Sequence, residues 1–317
     1  MRRRGELVWT ASAGRVNRTD PVADFDRFVL ASVTKLATAC VVVRLAEQGA
    51  LRLDDPLGTW LPELPNAGRL TPRLLLAHRS GLRDYPKDRA LARRLGGGEP
   101  DHPWSRAEVI DAIARLGPER EPDHRFAYRN GNYVIAAELA ERASGSGFAA
   151  LLEEHIAQPL GIPGFSCAAE VPGTRLAGPH AAVLRRPVDL LAVTRGRIPT
   201  DALGPVWGDG GVASSAQDLA RFTEALFAGQ LLTGPSLRAM TARSSRFGHK
   251  RGYGLGVMLE RRPGAVVAGH DGLYFGWTAS ASRDDATATT IAVVANLAGP
   301  SVPAARVAKA ARAALGA

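Results

Sequence analysis

Three short stretches of this chain carry side chains whose types and spacing can do chemistry. The first is Ser32-Val33-Thr34-Lys35, which opens the apolar run Leu36, Ala37, Ala39, Cys40 and Val41 to Val43. Residues three apart on a helix share one face, about one turn apart. Lys35 can therefore take or hold the Ser32 proton, and a serine hydroxyl is a poor nucleophile until a neighbouring base or cation activates it. In a first helical turn, free backbone N–H groups and the helix dipole also favour developing negative charge. The plain alternative is an N-cap serine beside a solvated lysine. Composition weighs against it, because only four of the 40 basic residues are lysine, at positions 35, 87, 250 and 309. A lysine in an apolar helix departs from that habit, and lysine, unlike arginine, can lose its proton when partly buried. No other serine has lysine three residues later. The second stretch is Tyr128-Arg129-Asn130, and none of the other four tyrosines has asparagine two residues on. The third is His270-Asp271-Gly272.

The other histidines (78, 102, 124, 155, 180 and 249) show no H-x-H or H-x-x-x-H spacing and read as surface or satisfied structural residues. Gly252-Tyr253-Gly254-Leu255-Gly256 departs from G-x-G-x-x-G and reads as a strand with close backbone packing, so no nucleotide is implied.

The elements that must position these groups follow from pattern and punctuation. Residues 6–14 read as a strand, and residues 20–31 lead through a second short extended piece into the Ser32 helix. The Ser32 helix runs to about Gln48, with Gly49 as its stop. A short helix covers about 72–78. Ser105-x-x-Glu108 is a capping box that opens a helix to Leu116. Further helices run from Asn130 through Glu141, to Ala157 before Pro159, and from Ser215 to Phe227. The segment 83–104 reads as a polar rim or lid. The segment 165–207 reads as a long loop, a length that is usually functional or hides an element. Apolar runs at 252–259, 264–269, 274–281 and 289–296 read as antiparallel strands, and an alanine-rich helix over about 302–315 closes the chain. Strands at the two ends are expected to share one sheet.

At 317 residues, 45% hydrophobic and 22% charged, the chain can bury a large core. A net charge of +9 raises a nucleic-acid role. The arginines, however, are scattered among acidic residues, and the aromatics do not alternate with them as stacking platforms would. The charge reads as a solvated face, and no nucleic-acid partner is expected. Two cysteines, Cys40 and Cys167, make no disulfide framework, and Cys40 reads as core. No run of 18 apolar residues occurs, so no membrane partner is expected. Met1-Arg2-Arg3-Arg4 is followed by no apolar stretch of the signal-peptide kind, and the sequence predicts a cytoplasmic location.

Taken in order, Ser32-x-x-Lys35, Tyr128-x-Asn130 and His270-x-Gly272 resemble the serine β-lactamase and penicillin-binding-protein superfamily, specifically its class C-like branch. There the stations read S-x-x-K, Y-x-N and K-T-G or H-x-G. Leu74–Leu82, Gln158–Gly161, Gly210-Gly211 with Ser214 and Asp218, and Gly252–Gly256 look like the same branch. The resemblance implies an α+β fold (an α/β sandwich): an antiparallel sheet of amino- and carboxy-terminal strands flanked by helices, with a mostly helical region inserted. It implies one domain over 1–317, with an α/β subdomain at about 1–50 and 230–317 and a helical one at about 51–229.

The implied activity is a cofactor-free serine acyl hydrolase, an esterase or amidase, acting on a small-molecule ester, amide or peptide. Ser32 would be the acyl-accepting nucleophile. Lys35 and Tyr128 would share the base and acid work, the tyrosine held near phenolate, in contrast to the separate glutamate of class A. Asn130 would position Lys35 and the substrate, and His270 would complete the catalytic set. The N–H groups of Ser32 and Leu273, beside Gly272, would form an oxyanion hole, at roughly 3 kcal/mol per donor. Strong β-lactamases carry lysine at the third station, which helps hold a substrate carboxylate, so His270 directs the expectation towards esters. Leu273 to Trp277 would offer an apolar surface for an acyl group, while Arg79, Arg83 and Arg129 could recruit an anion. Acyl transfer, DD-peptidase or β-lactamase activity, and a non-catalytic binding module are the alternatives.

Overall fold

From Arg251 onward the sequence runs in short apolar stretches broken by turn residues such as Pro263-Gly264 and Asp284-Asp285, and it folds into a meander. The computed structural model describes residues 1–17, 19–91, 105–167, 171–183, 186–189, 208–247, 251–299 and 303–315. In chain order the strands are β1 (Arg2–Arg3), β2 (Glu6–Leu7), β3 (Phe28–Val29), β4 (His180–Val183), β5 (Arg186–Asp189), β6 (Ala213–Ser214), β7 (Ser245–Phe247), β8 (Arg251–Tyr253), β9 (Met258–Arg262), β10 (Ala265–Tyr274), β11 (Trp277–Asp284), β12 (Thr289–Ala295) and β13 (Leu297–Ala298). Among the described residues, eight of them form one sheet in the order β2-β1-β12-β11-β10-β9-β8-β7. Every pairing in it is antiparallel. The two ends of the chain therefore meet in one sheet, as expected, and the fold is α+β.

The helices Ala216–Phe227 and Pro303–Ala314 pack on β11 and β12. The helix Thr34–Glu47 lies against the helix Gly131–Ser144 and also touches β10. From Asp26 to Val43 every residue is buried except Ser32. A helix that is apolar all round belongs inside a core, and small side chains such as Ala37, Ala39 and Cys40 let neighbours approach closely. No helix among the described residues is long and apolar enough to cross a membrane.

Several expectations are corrected. Of 6–14 only Glu6–Leu7 is strand, because β1 takes the place beside β12 and leaves residues 8–14 exposed. The run 252–259 is two strands, split by a turn in which Gly254 N–H donates to Val257 O and Gly256 has φ +75°. That left-handed glycine also sits against Lys35 O and Ala39, where a side chain would not fit. The second run, 264–269, is longer than its apolar residues suggest, since β10 continues through His270 and Gly272 to Tyr274. Pro159 does not end its helix. A π turn at Glu153–Ala157 precedes it, and Gly161 with φ +61° ends the helix after Leu160. Within 165–207 the chain forms the hairpin of β4 and β5, with β13 parallel to β4. Residues 190–207 of that loop, and 92–104 of the expected rim, lie outside the described residues.

Candidate active site

Ser32 sits in a 3-10 turn, Ala31–Val33, which leads directly into the helix Thr34–Glu47. Ala31 has φ +49°, a conformation a β-carbon disfavours, and such strain persists only where the surroundings hold it. The surroundings here are β3, β6 and β10. Leu30 N–H donates to Val212 O at 2.8 Å, and β3 pairs with β6. The ladder of β9 on β10 ends at Gly269, so His270 to Tyr274 continue past it along β11. Gly272 meets the serine turn there. A β-carbon on Gly272 would lie 3.0 Å from Ser32 N and 3.1 Å from Ala31 Cβ, and closer still to Leu30 O. Glycine is required at that position by proximity, not by a left-handed φ.

Lys35 is fully buried. Its ammonium donates to Ser32 Oγ at 3.0 Å, Asn130 Oδ1 at 3.0 Å and the main-chain oxygen of Asp209 at 2.6 Å. Lysine has three donors, and each has an acceptor. The nitrogen also lies 5.2 Å from the Tyr128 ring centre and 5.5 Å from that of Tyr133, within cation–π range. Ser32, Lys35, Tyr128 and Asn130 thus form one cluster.

The Tyr128 segment is held by groups the sequence left unassigned. Asp84 accepts the N–H groups of Asn130 (3.0 Å) and Gly131 (2.8 Å), which caps the helix Gly131–Ser144. His78, at φ +56°, accepts Ala127 N–H on its carbonyl at 2.8 Å and Arg129 N–H on Nδ1 at 3.2 Å. Its ring lies 4.2 Å from the Tyr128 ring. Burial, with Lys35 nearby, pushes the His78 pKa well down. It is a structural histidine, but one that fixes a site residue on both sides.

His270 is buried at the same cluster, its ring 6.2 Å from that of Tyr128. Its Nδ1 faces the carbonyl of Asp271 at 2.7 Å and its Nε2 faces Tyr253 Oη at 3.1 Å. A nitrogen facing a carbonyl must carry the proton, which makes Nε2 the acceptor of the tyrosine hydroxyl. Burial, and then the Lys35 charge, push the pKa to about 3. His270 is a neutral side chain with both nitrogens engaged.

Asp209 was missed altogether, although it precedes the Gly210-Gly211 pair that the sequence singled out. Besides its carbonyl contact to Lys35, its carboxyl accepts Tyr85 Oη–H on Oδ2 at 3.2 Å. Oδ1 is buried with no hydrogen-bond partner among the described residues. Burial raises this carboxyl to about 7, against the pull of Lys35.

Two expectations about the site's surroundings change. Trp277 is fully buried in a second small core with Phe28 and Val29, its indole donating to Ala177 O at 2.8 Å. The exposed apolar side chains of that hairpin are Leu273 and Phe275. The rim arginines are engaged within the chain: Arg79 pairs with Asp123 and Arg129 with Glu119, both at 2.5 Å, and Arg83 donates to Leu116 O at 2.6 Å. Cys40 and Cys167 are both free thiols, pushed up to about 12 by burial.

The family model described as Beta-lactamase matches residues 1–316. The chain belongs to the beta-lactamase family. Penicillin-binding protein 4* of Bacillus subtilis (strain 168) is 28% identical over 293 residues, which are 86% of this chain and 61% of that protein. Esterase EstB of Burkholderia gladioli is 32% identical over 172 residues, 50% of this chain and 44% of the esterase. A D-amino acid amidase from Ochrobactrum anthropi SV3, solved with L-phenylalanine amide, matches with a TM-score of 0.76 at 26% identity. That match covers 96% of this chain and 89% of the amidase chain. The chain spans about three fifths or less of the length of the curated relatives it matches. Within the beta-lactamase family, these matches carry the names of a penicillin-binding protein, an esterase and an amidase.

Proposed function

We propose that the chain is a serine acyl hydrolase that acts on small esters or amides through an acyl-enzyme on Ser32. The observation that carries this reading is the buried Lys35, bonded at once to Ser32 Oγ and Asn130 Oδ1. Lys35 and Tyr128 act as the base pair: the Ser32 proton leaves as Oγ attacks the carbonyl carbon, and it passes to the leaving alcohol or amine as that bond breaks. Water then attacks the acyl-enzyme and gives a proton to the same pair, which returns it to Ser32 Oγ as the acyl–oxygen bond breaks and the acid leaves. The N–H groups of Ser32 and Leu273 receive the oxyanion, and the close approach of Gly272 to Ser32 N supports that placement. Asn130 orients Lys35. His270 takes part as a neutral residue that fixes Tyr253 and the end of β10.

A neutral third station favours substrates without a carboxylate at that place, because no cation stands there to pair with it. Together with the exposed Leu273 and Phe275, this supports short-chain esters over β-lactams. Steady-state kinetics on p-nitrophenyl butyrate and nitrocefin test the preference. A kcat/KM for nitrocefin well above that for the ester would replace this reading with a β-lactamase. Acylation by either compound without turnover would move it to an acyl transferase.

A further inference from the structure

The sheet has a second face, and a cleft opens on it. Along β10 the side chains alternate: His270 and Ala268 point towards the serine side and the core, while Val267 and Asp271 point the other way. Between that outer face and the helix Pro303–Ala314 lies a cavity of about 440 Å³, a volume within the range of small-molecule sites.

The walls of the cleft are strongly cationic. Arg251 comes from β8, Arg262 from β9, and Arg306, Lys309 and Arg312 from successive turns of the helix. Two carboxylates, Glu260 and Asp271, face them. Both are already engaged. Glu260 pairs with Arg262 at 3.1 Å and Arg251 at 4.0 Å, while Asp271 accepts Ser280 Oγ–H at 2.7 Å and lies 3.6 Å from Arg251. Arg306, Lys309 and Arg312 have no ion pair among the described residues, and Arg312 only donates to Ser282 Oγ. Burial, with Arg262 beside it, lowers the Arg312 pKa. Glu260, Asp284 and Asp271 offset this only in part, and a part-buried guanidinium held beside another with no ion pair of its own is costly. A multiply charged anion in the cleft would offset that cost.

We propose that the cleft between the helix Pro303–Ala314 and strands β8 to β11 binds a small phosphate-class dianion, either inorganic phosphate or the phosphate group of a small monoester. Cations converging from a helix and from two strands suit a tetrahedral dianion, and guanidinium forks match its oxygens in pairs. The ligand sits across the sheet from Ser32, so it is not the substrate of the serine.

The test is calorimetric titration of the full chain with inorganic phosphate and with glycerol 3-phosphate, at fixed ionic strength set by sodium chloride. The pair is repeated on the double variant Arg306→Gln, Lys309→Gln. Both residues are exposed, so the variant is expected to fold, and circular dichroism checks this. Binding should weaken about tenfold in the variant and fade as salt rises. Tighter binding of the monoester would identify the phosphorylated compound as the ligand, and equal binding would identify free phosphate. Failure of both probes to bind above the chloride control, or equal affinity in the variant, overturns the proposal. Labelling of Ser32 by a fluorophosphonate, unchanged in the variant, keeps this outcome separate from that of the hydrolase reading.

Discussion

Gly272→Ala is the perturbation whose consequence follows most directly from the structure. The added β-carbon would lie 3.0 Å from Ser32 N and 3.1 Å from Ala31 Cβ, and nearer to Leu30 O. Unstrained heavy-atom contacts sit at about 3.5–4.0 Å, so the contact with Leu30 O alone requires β10 and the serine turn to part by about 1 Å or more. The opposing atoms are mainly backbone, and Ala31 is already at φ +49°, so neither side yields easily. Gly272 itself has no left-handed φ, so alanine there brings no torsional penalty and the effect is purely one of distance. That distance separates the two proposed oxyanion donors. A misplacement near 1 Å costs up to about 10²-fold in rate, and loss of one donor about 10²–10³. We therefore expect kcat on p-nitrophenyl butyrate to fall about 100-fold with KM changed by less than threefold or so. Circular dichroism and the thermal midpoint report whether the fold has survived. A folded variant whose kcat stays within a few fold of the parent would refute the reasoning, because the contact would then not hold the oxyanion site.

The other predictions concern the Lys35 cluster. Lys35→Arg should lose most activity, since arginine keeps the charge but does not release a proton; near-parental turnover would make Lys35 an electrostatic prop alone. Tyr128→Phe should lower kcat by roughly 10²–10⁴, measured on the same ester, and a loss of only a few fold would move the base role to Lys35 by itself. Asp209→Asn should act on stability. The Asp209 carboxyl is raised from 3.8 to about 7 in the folded chain, so the stability it contributes is full below pH 3.8 and is lost as pH rises through 7. Relative to the parent, the asparagine variant should gain roughly 3 kcal/mol between pH 5 and pH 8. Urea titrations at the two pH values measure this, and a constant difference would show that the carboxyl is not buried in its neutral form.

Much of the site was legible because its chemistry needs particular residues at short spacings. Ser32 and Lys35 share one turn, and Tyr128 and Asn130 share one loop, so each pair is a local pattern. The groups that hold them are not local. Asp84 and His78 reach the Tyr128 segment over 46 and 51 residues. Asp209 reaches Lys35 over 174 residues, through a carbonyl oxygen that every residue type possesses. His78 carried no spacing signal and acts chiefly through its main chain and its φ. In the fold, the carboxy-terminal strands were legible as short apolar runs between turn residues, but the bounds of β10 were not. Glycines 269 and 272 interrupt its apolar pattern exactly where the backbone packs most tightly against Ala281 and Leu30. Pro159 misled because a missing N–H ends a helix only where that donor is needed, and the π turn before it changes the pairing.

The central claim is that Ser32 is the nucleophile, and mass spectrometry of the chain after reaction with a fluorophosphonate tests it most directly. One adduct on the peptide bearing Ser32 is expected. It should be absent from the Ser32→Ala variant, whose fold should persist because Ser32 caps nothing by its side chain. Equal labelling of that variant, or an adduct on any other serine of the parent, would contradict the account.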